Sequence, residues 1–144
     1  MKSLNQIQDE IVEEFGVFDD WMDKYNYLIE LARDLPIIDE KYKTNENIIN
    51  GCQSKVWLNA AFDEGEGVIK FSADSDAIIT KGIIALLIRV MNNRRPEEIM
   101  NADLYFIDRI GLRQNLSPTR SNGLLSMVKQ IKLYALAYNA KVNK

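Results

Sequence analysis

Residues 55–73 have the sequence KVWLNAAFDEGEGVIKFSA, in which two short apolar runs flank the link DEGEG. The runs, residues 55–62 and 68–73, are rich in the aromatic and β-branched side chains that favour strands. A five-residue link that contains glycine is typical of an antiparallel hairpin. The apolar pair Ile48 and Ile49 lies just ahead and is a candidate for one more short strand. We therefore expect a small antiparallel sheet of about three strands.

Helical patterns precede the hairpin. Apolar residues recur at helical spacing over residues 7–15 and again over residues 21–32. Asp19 or Asp20 is placed to cap the second of these helices, because an aspartate oxygen can accept a hydrogen bond from a free backbone N–H at a helix start. Pro36 lies beyond its end. The sequence therefore predicts two helices before the sheet.

Helices return after the hairpin. Residues 77–91 are apolar almost all round, which predicts a buried central helix. Pro96 is placed to begin a brief helix, and Ser117 to cap a long closing helix that includes residues 124–138. Residues 104–110 are mixed, and their pattern favours neither helix nor strand. The expected fold class is α+β, with several helices packed on one side of the small sheet.

The composition excludes several classes of function. The length of 144 residues favours a single domain over residues 1–144, and 47% hydrophobic with 27% charged residues is typical of an ordered soluble protein. The absence of histidine excludes Ser-His-Asp and Cys-His catalytic arrangements. A single cysteine excludes a thiolate zinc site within the chain. The net charge of −3 gives no overall basic surface for nucleic acid.

The same sequence predicts a cytoplasmic protein that does not cross a membrane. Residues 1–14 are polar and charged and lack the apolar stretch of a signal peptide. The apolar run at residues 83–88 is far shorter than the ~20 residues that a membrane crossing needs. A lone cysteine cannot form an intrachain disulfide, and a reducing cytoplasm would keep its thiol free.

Cys52 lies between a polar loop and the first predicted strand, in the sequence NGCQSKVW. Gly51 can adopt a positive φ and lets another group approach closely. Gln53 and Ser54 add polar side chains, so the thiol is placed in a loop beside a rigid element, where functional residues often lie. The alternative is that Cys52 is a small buried hydrophobe, as free cysteines commonly are. The residues around the thiol leave both interpretations open.

Four segments make the chain similar to the SufE family of cysteine-desulfurase sulfur acceptors. They occur in the order and at the spacing of the family, and together they span nearly the whole chain. The segments are WMDKYNYLIELARDLP at residues 21–36, GCQSKVW at 51–57, DSDAIITKGIIALL at 74–87 and LSPTRSNG at 116–123. The resemblance implies an α+β fold that is shared with IscU-type scaffolds.

The resemblance also implies that Cys52 carries sulfur as a persulfide. In the family, a pyridoxal-phosphate-dependent desulfurase of the SufS type takes sulfur from L-cysteine and transfers it to the carrier cysteine. The carrier thereby stimulates the desulfurase and passes the sulfur to a SufBCD-type scaffold for iron–sulfur cluster assembly. This role requires no metal or resident cofactor in the chain, because the pyridoxal phosphate belongs to the partner. One thiol suffices for such a thiol–disulfide-type exchange.

Supporting roles are expected for residues near Cys52. A cation would raise the thiolate fraction, and Lys55 and Arg120 are the candidates. Arg120 is preferred because it lies in a matching segment, although it could instead hold a carboxylate and anchor the last helix. Gln53 and Ser54, like Gly51, belong to the cysteine motif, and their side chains could also be ordinary hydrogen-bonding groups of a loop.

Two charged pairs complete the expectations. Asp74 and Asp76 precede the central helix, where they are expected to cap it; they could also contribute to a surface that contacts the desulfurase. Arg94 and Arg95 are expected at a solvated helix end, where a partner contact is the alternative.

Rival functions follow from the same observations. A CsdE-like acceptor would serve a different desulfurase and a different acceptor, and the motifs do not separate it from SufE. An IscU-type scaffold needs several thiolate ligands for iron, which a single cysteine cannot supply. A binding module with an inert Cys52 predicts that Cys52→Ser leaves partner activity unchanged. The sequence leaves open the exposure of Cys52 and whether the chain is a monomer or a homodimer.

Overall fold

The computed structural model describes residues 2–142 and has the expected α+β fold, with seven helices and one antiparallel hairpin in that part of the chain. The helices are α1 (Leu4–Gly16), α2 (Trp21–Leu31), α3 (Ile78–Met91), α4 (Pro96–Met100), α5 (Phe106–Arg109), α6 (Leu112–Asn115) and α7 (Pro118–Val142). The strands are β1 (Val56–Asp63) and β2 (Val68–Ser75). Short 3-10 turns at Ala32–Asp34, Glu40–Tyr42 and Asn45–Asn47 connect α2 to the sheet.

The hairpin forms where the apolar runs predict it. The strands pair in register from Val56 opposite Ser75 to Asp63 opposite Val68. At the turn, the Gly67 N–H donates to the Asp63 carbonyl at 2.7 Å, and Gly67 adopts φ +70°. Side chains alternate between the two faces of a strand, so one face of the hairpin is buried. The buried side chains on this face are Val56, Leu58, Ile69, Phe71 and Ala73.

The prediction of about three strands is wrong by one. Ile48 forms only an isolated bridge with Trp57, and the Ile49 N–H donates to the Val56 carbonyl at 2.8 Å. A turn at residues 50–51 follows at once, so this segment is too short to continue as a strand. The sheet of the described residues therefore has two strands with a bridged segment beside β1.

The outer edge of β2 is covered by two segments that are not strands. Ala73 exchanges backbone hydrogen bonds with residues 36–38, at 3.0 and 3.1 Å. Ile69 does the same with residues 93–94, at 2.9 Å in both directions. These contacts use backbone groups that an open edge would leave free for pairing with another chain.

Helices α2 and α7 begin at the residues that the sequence indicates. The Asp20 carboxylate accepts from the Asp23 N–H at 2.9 Å and caps α2. The Ser117 hydroxyl accepts from the Arg120 N–H at 3.3 Å, just before Pro118 opens α7. Residues 104–110, which the pattern left undecided, contain the short helix α5. Local side-chain chemistry thus explains most of these helix starts.

Helix α3 is the centre of the core, as its apolar sequence predicts. Of its fourteen residues, eleven are buried. It packs closely against α2 at Gly82. A Cβ added to this glycine would be only 2.5 Å from the Leu28 carbonyl oxygen. No helix within residues 2–142 is both long enough and apolar enough to cross a bilayer.

The expectation that Arg94 and Arg95 both lie at a solvated helix end is correct for Arg95 and wrong for Arg94. Arg95 is exposed and forms ion pairs with Glu97 and Glu98. Arg94, by contrast, is only 4% exposed. The reason lies in the backbone, because the contacts of residues 93–94 with β2 hold the turn against the sheet and bring the Arg94 side chain inside.

Candidate functional site

The loop of residues 50–55 is fixed at both ends. At its start, Ile48 and Ile49 pair with β1. At its end, the Lys55 N–H donates to an Asp76 carboxylate oxygen at 3.0 Å, and the Lys55 carbonyl accepts from the Ser75 hydroxyl at 2.8 Å. These contacts place the intervening cysteine between the hairpin and α7.

Gly51 supplies the backbone conformation that this loop requires. Its φ is +95°, in the region that favours glycine. It also lies directly against α7, because an added Cβ would overlap the Ser126 hydroxyl and come within 3.3 Å of the Ser126 Cβ. A residue with a side chain would therefore strain the turn and push the loop away from the helix.

Cys52 is partly buried and faces α7. Its S–H donates to the Gly123 carbonyl, with 3.6 Å between Sγ and oxygen. The thiol borders a cavity of about 60 Å³. Four residues predicted from sequence line this cavity: Cys52, Gln53, Ser54 and Arg120. The structure therefore brings together the cysteine loop and the first turns of α7.

Five further residues line the cavity and were not identified from sequence. They are Thr80, Ile83, Thr119, Gly123 and Met127. On α7, positions 119, 120, 123 and 127 follow the spacing of one helix face, which is a signal that the sequence contains. A glycine in the interior of a long helix also indicates a close approach. The contribution of α3 has no comparable local signal.

Burial dominates the electrostatics of the thiol. It raises the pKa of Cys52 above its ordinary value, because desolvation disfavours the thiolate. Arg120 lines the same cavity but is otherwise exposed, and its guanidinium donates to the Tyr25 hydroxyl. Lys55, the other candidate cation, is exposed and lies outside the cavity lining. The described residues that line the cavity include no carboxylate.

The prediction that Asp74 and Asp76 cap α3 is wrong. The capping position is Ala77, which has no side-chain oxygen. Asp74 instead pairs with Lys43 at 2.6 Å and Lys81 at 3.3 Å, and its side chain is 14% exposed. Asp76 holds the Lys55 N–H and is exposed. Both carboxylates thus bind groups that a local pattern does not reveal.

The charge of Asp74 is stabilised by its partners. Partial burial alone would raise the pKa of this carboxyl, but hydrogen bonds from Lys43, the Ser75 N–H and Lys81 outweigh it and leave the pKa below its ordinary value. Its carboxylate therefore joins residue 43, ahead of the cysteine loop, to α3.

Among residues 2–142, no group of three or more Cys, Asp or Glu side chains is placed to hold a metal ion. The chemistry that the cavity offers is therefore that of one thiol, a guanidinium and a few hydroxyl and amide groups.

The raised pKa predicts slow and pH-shifted alkylation of Cys52. In the native protein, the rate of reaction with iodoacetamide should rise with an apparent pKa above the ordinary thiol value of about 8.5. Between the two values the folded thiol keeps a proton that the unfolded chain has lost, so the free energy of unfolding should fall as pH rises through that window. The control is the same chain in denaturant; equal pKa values in both states would contradict the burial argument.

Comparison with known proteins gives a consistent picture. The model of the SufE Fe-S metabolism associated domain matches residues 9–135. An uncharacterized SufE-like protein of Rhizobium meliloti (strain 1021) is 39% identical over 127 residues, covering 86% of this chain and 91% of that protein. A second uncharacterized SufE-like protein, from Rhizobium etli, is 42% identical over 127 residues, with 86% of each chain covered.

Two further matches extend this comparison. The Arabidopsis thaliana protein named SufE-like protein 1, chloroplastic/mitochondrial, is 40% identical over 132 residues, which are 92% of this chain but 35% of that protein. The solution structure of a hypothetical protein from Thermus thermophilus superimposes with a TM-score of 0.75 at 17% identity, covering 93% of this chain and 96% of that one. The family match spans most of the chain, including the cysteine loop and the first turns of α7. This chain therefore belongs to the SufE family, whose domain is associated with Fe–S metabolism.

Proposed function

We propose that the chain is a sulfur carrier: Cys52 accepts a persulfide sulfur from a SufS-type cysteine desulfurase, stimulates that enzyme by removing its product, and passes the sulfur to a SufBCD-type scaffold. The observation that carries the proposal is the position of the one thiol beside a small cavity, under the first turns of α7. Membership in a family associated with Fe–S metabolism supports it.

The size of the cavity suits one added sulfur atom. A buried water needs only about 10–15 Å³ of such space, so about 60 Å³ accepts a group of a few atoms. Pockets for larger molecules measure roughly 300–1,000 Å³. The cavity would therefore admit the outer sulfur of a Cys52 persulfide and exclude a bulky thiol reductant.

The transfer step balances without any external oxidant. The Cys52 thiolate attacks the outer sulfur of the donor persulfide, and a new S–S bond forms at Cys52. The S–S bond of the donor breaks, and its electron pair leaves with the donor cysteine sulfur. That sulfur takes up the proton that Cys52 has lost. In the release step, a thiolate of the acceptor attacks the outer sulfur of the Cys52 persulfide, and the Cys52 thiolate leaves. One cysteine therefore completes the cycle.

The resting thiol must become more reactive during this cycle. Burial keeps Cys52 mostly protonated near neutral pH, because its raised pKa lies above the pH of the cytoplasm in which we place the protein. The loop that carries it is held to Asp76 and Ser75 by only a few hydrogen bonds at its end. We infer that docking of the desulfurase draws this loop outward and exposes the thiol. We expect Asp76, which is exposed, to contribute to the surface that contacts the desulfurase.

Arg120 is the residue that we expect to favour the anionic sulfur. It lines the cavity, and a guanidinium stabilises a thiolate more than a thiol. Because the side chain is otherwise exposed, Arg120→Ala should slow sulfur acceptance only about 2- to 5-fold, and it should raise the pKa of Cys52 further. Arg120→Lys should restore part of both. The measurements are the transfer rate and the pH profile of alkylation.

The hydrogen bond between Arg120 and Tyr25 allows a control for the alternative that Arg120 has only a structural role. Tyr25→Phe removes the hydrogen-bond acceptor but keeps the guanidinium. If Arg120 acts only by anchoring α7 to α2, Tyr25→Phe will reproduce the defect of Arg120→Ala. An unchanged pKa of Cys52 in Arg120→Ala, together with an unchanged transfer rate, would return Arg120 to a structural role.

The mass of the protein tests the function directly. After incubation with L-cysteine and an active SufS-type desulfurase, the chain should gain the mass of one sulfur atom, on the peptide that contains Cys52, and a reductant should remove it. An unmodified chain would contradict the proposal. Comparing the stimulation of a SufS-type desulfurase with that of the different desulfurase that a CsdE-like acceptor serves distinguishes the two acceptor branches.

A further inference from the structure

A second and larger cavity lies at the C-terminal end of α3, away from the cysteine loop. Its volume is about 420 Å³, and none of its lining residues within the described range 2–142 also lines the cavity at Cys52. One part of its wall is apolar and includes Ile7, Leu31 and Leu86. A volume of this size is within the range of small-molecule sites.

Arg94 is the unusual group in the wall of this cavity. Only 4% of the residue is exposed, and its Nε has no hydrogen-bond partner among the described residues. A buried charge without a partner is costly, because it loses its hydration and gains nothing in return. Buried polar groups of this kind are exceptions in native proteins and call for a specific explanation.

The backbone prevents Arg94 from escaping to solvent easily. The Asn93 N–H and the Arg94 carbonyl both bond to Ile69 at 2.9 Å. The Asn92 side-chain oxygen accepts from the Phe71 N–H at 2.7 Å. Asn93 adopts φ +58°, a left-handed conformation that is uncommon outside glycine. The turn is thus fixed on β2 by three hydrogen bonds, and Arg94 lines the cavity.

The other charges at the cavity already have partners or lie in solvent. Arg89 forms two hydrogen bonds with the Glu14 carboxylate, at 3.0 and 2.5 Å. Lys2 pairs with Glu10. Asp34 also lines the cavity, but it is exposed and forms no ion pair with Arg94 in the described chain. Among the described residues of this wall, Arg94 is therefore the cation that forms no ion pair.

We propose that this cavity binds a small organic anion, whose charged head pairs with Arg94 while its apolar part covers Ile7, Leu31 and Leu86. A guanidinium presents a planar set of donors that matches a carboxylate or a phosphate group. The apolar wall adds affinity for a hydrocarbon portion, because burying it removes apolar surface from water. This site is independent of the sulfur chemistry proposed for Cys52.

The test is a titration of the whole protein followed by nuclear magnetic resonance. The probes are hexanoate and hexyl phosphate, which present the two head groups on one apolar chain; inorganic phosphate and hexan-1-ol are the controls that lack one of the two features. We expect saturable shifts of the Arg94 Nε–H signal with at least one of the two probes at millimolar concentration. The two controls should bind at least tenfold more weakly than that probe.

Variants separate this role from a structural one. Arg94→Met should lose at least tenfold in affinity for the probe and should raise the thermal midpoint by a few degrees, because an unpaired buried charge is replaced by an apolar side chain. Arg95→Gln is the matched control, since Arg95 is exposed and outside the cavity, and it should bind like the wild type. Cys52→Ser should also bind like the wild type.

Three outcomes would overturn the proposal. The first is an Arg94 Nε–H signal in the wild type that responds to neither probe. The second is equal binding of hexan-1-ol, which would make the site merely apolar. The third is a marked loss of thermal stability or of folding in Arg94→Met, which would show that Arg94 already has a stabilising partner within the folded chain.

Discussion

Replacing Cys52 by serine should reduce sulfur acceptance to background and remove the stimulation of the desulfurase. A hydroxyl is a far weaker nucleophile toward a sulfane sulfur than a thiolate, and the sequence contains no second cysteine that could substitute. Serine is close in size to cysteine and can still donate to the Gly123 carbonyl, so the fold should persist. The measurements are the mass of the chain after turnover and the rate of sulfide release by the partner.

The control for this variant is Asn50→Ala, which changes an exposed residue of the same loop and leaves the cavity lining intact. It should retain both the adduct and the stimulation. Normal stimulation by Cys52→Ser would show that the chain acts on its partner by binding alone, as an inert module would. Loss of stimulation with persistence of the sulfur adduct would place the carrier sulfur elsewhere and would equally contradict the proposal.

The elements of the fold that the sequence predicts are those with a local cause. The hairpin follows from two short apolar runs and a glycine-containing link, and its buried face alternates as strand geometry requires. The buried helix α3 follows from a run that is apolar all round. Asp20 and Ser117 act as helix caps because a cap needs only an oxygen within three residues.

Two of the three errors concern residues whose partners are distant along the chain. Asp74 has the local features of a helix cap, but Lys43 lies 31 positions away and takes its carboxylate. Ile48 suits a strand, but the turn at Gly51 ends the pairing after one bridge. A charged residue after an apolar helix suits a solvated helix end, but the backbone contact of Arg94 with Ile69 holds this residue in the interior. No short window of sequence contains the contacts of Asp74 and Arg94, whereas the turn that stops the Ile48 segment is local.

The candidate site likewise contains residues that the sequence identifies and residues that only the folded structure reveals. Cys52 is identified from its neighbours and from the motifs that resemble the SufE family, and Arg120 from its place in one of those motifs. The walls that complete the cavity come from α3 and from the inner face of α7, through Thr80, Ile83 and Gly123. Their role depends on how the elements pack against one another. Periodicity predicts which face of a helix or strand is buried, but it does not predict which other element that face contacts.

Gly123→Ala should fold normally and yet accept sulfur poorly. An added Cβ would lie 3.5 Å from the Cys52 Sγ and 3.8 Å from its Cα, which is ordinary van der Waals contact in the resting state. Alanine also has a higher helix propensity than glycine by about 1 kcal/mol. The thermal midpoint should therefore stay the same or rise.

The defect should appear only when the persulfide forms. The new methyl group would occupy part of the space of about 60 Å³ beside Sγ, and overpacking of a filled site costs about 1–3 kcal/mol. Persulfide occupancy should therefore fall roughly 5- to 150-fold, and the remaining adduct should react faster with reductant because the outer sulfur is forced toward solvent. Asn122→Ala, at the exposed neighbouring position of α7, should behave like the wild type. Wild-type occupancy and protection in Gly123→Ala would show that the transferred sulfur does not rest in this cavity, and the carrier would then have to hold its cargo outside the fold.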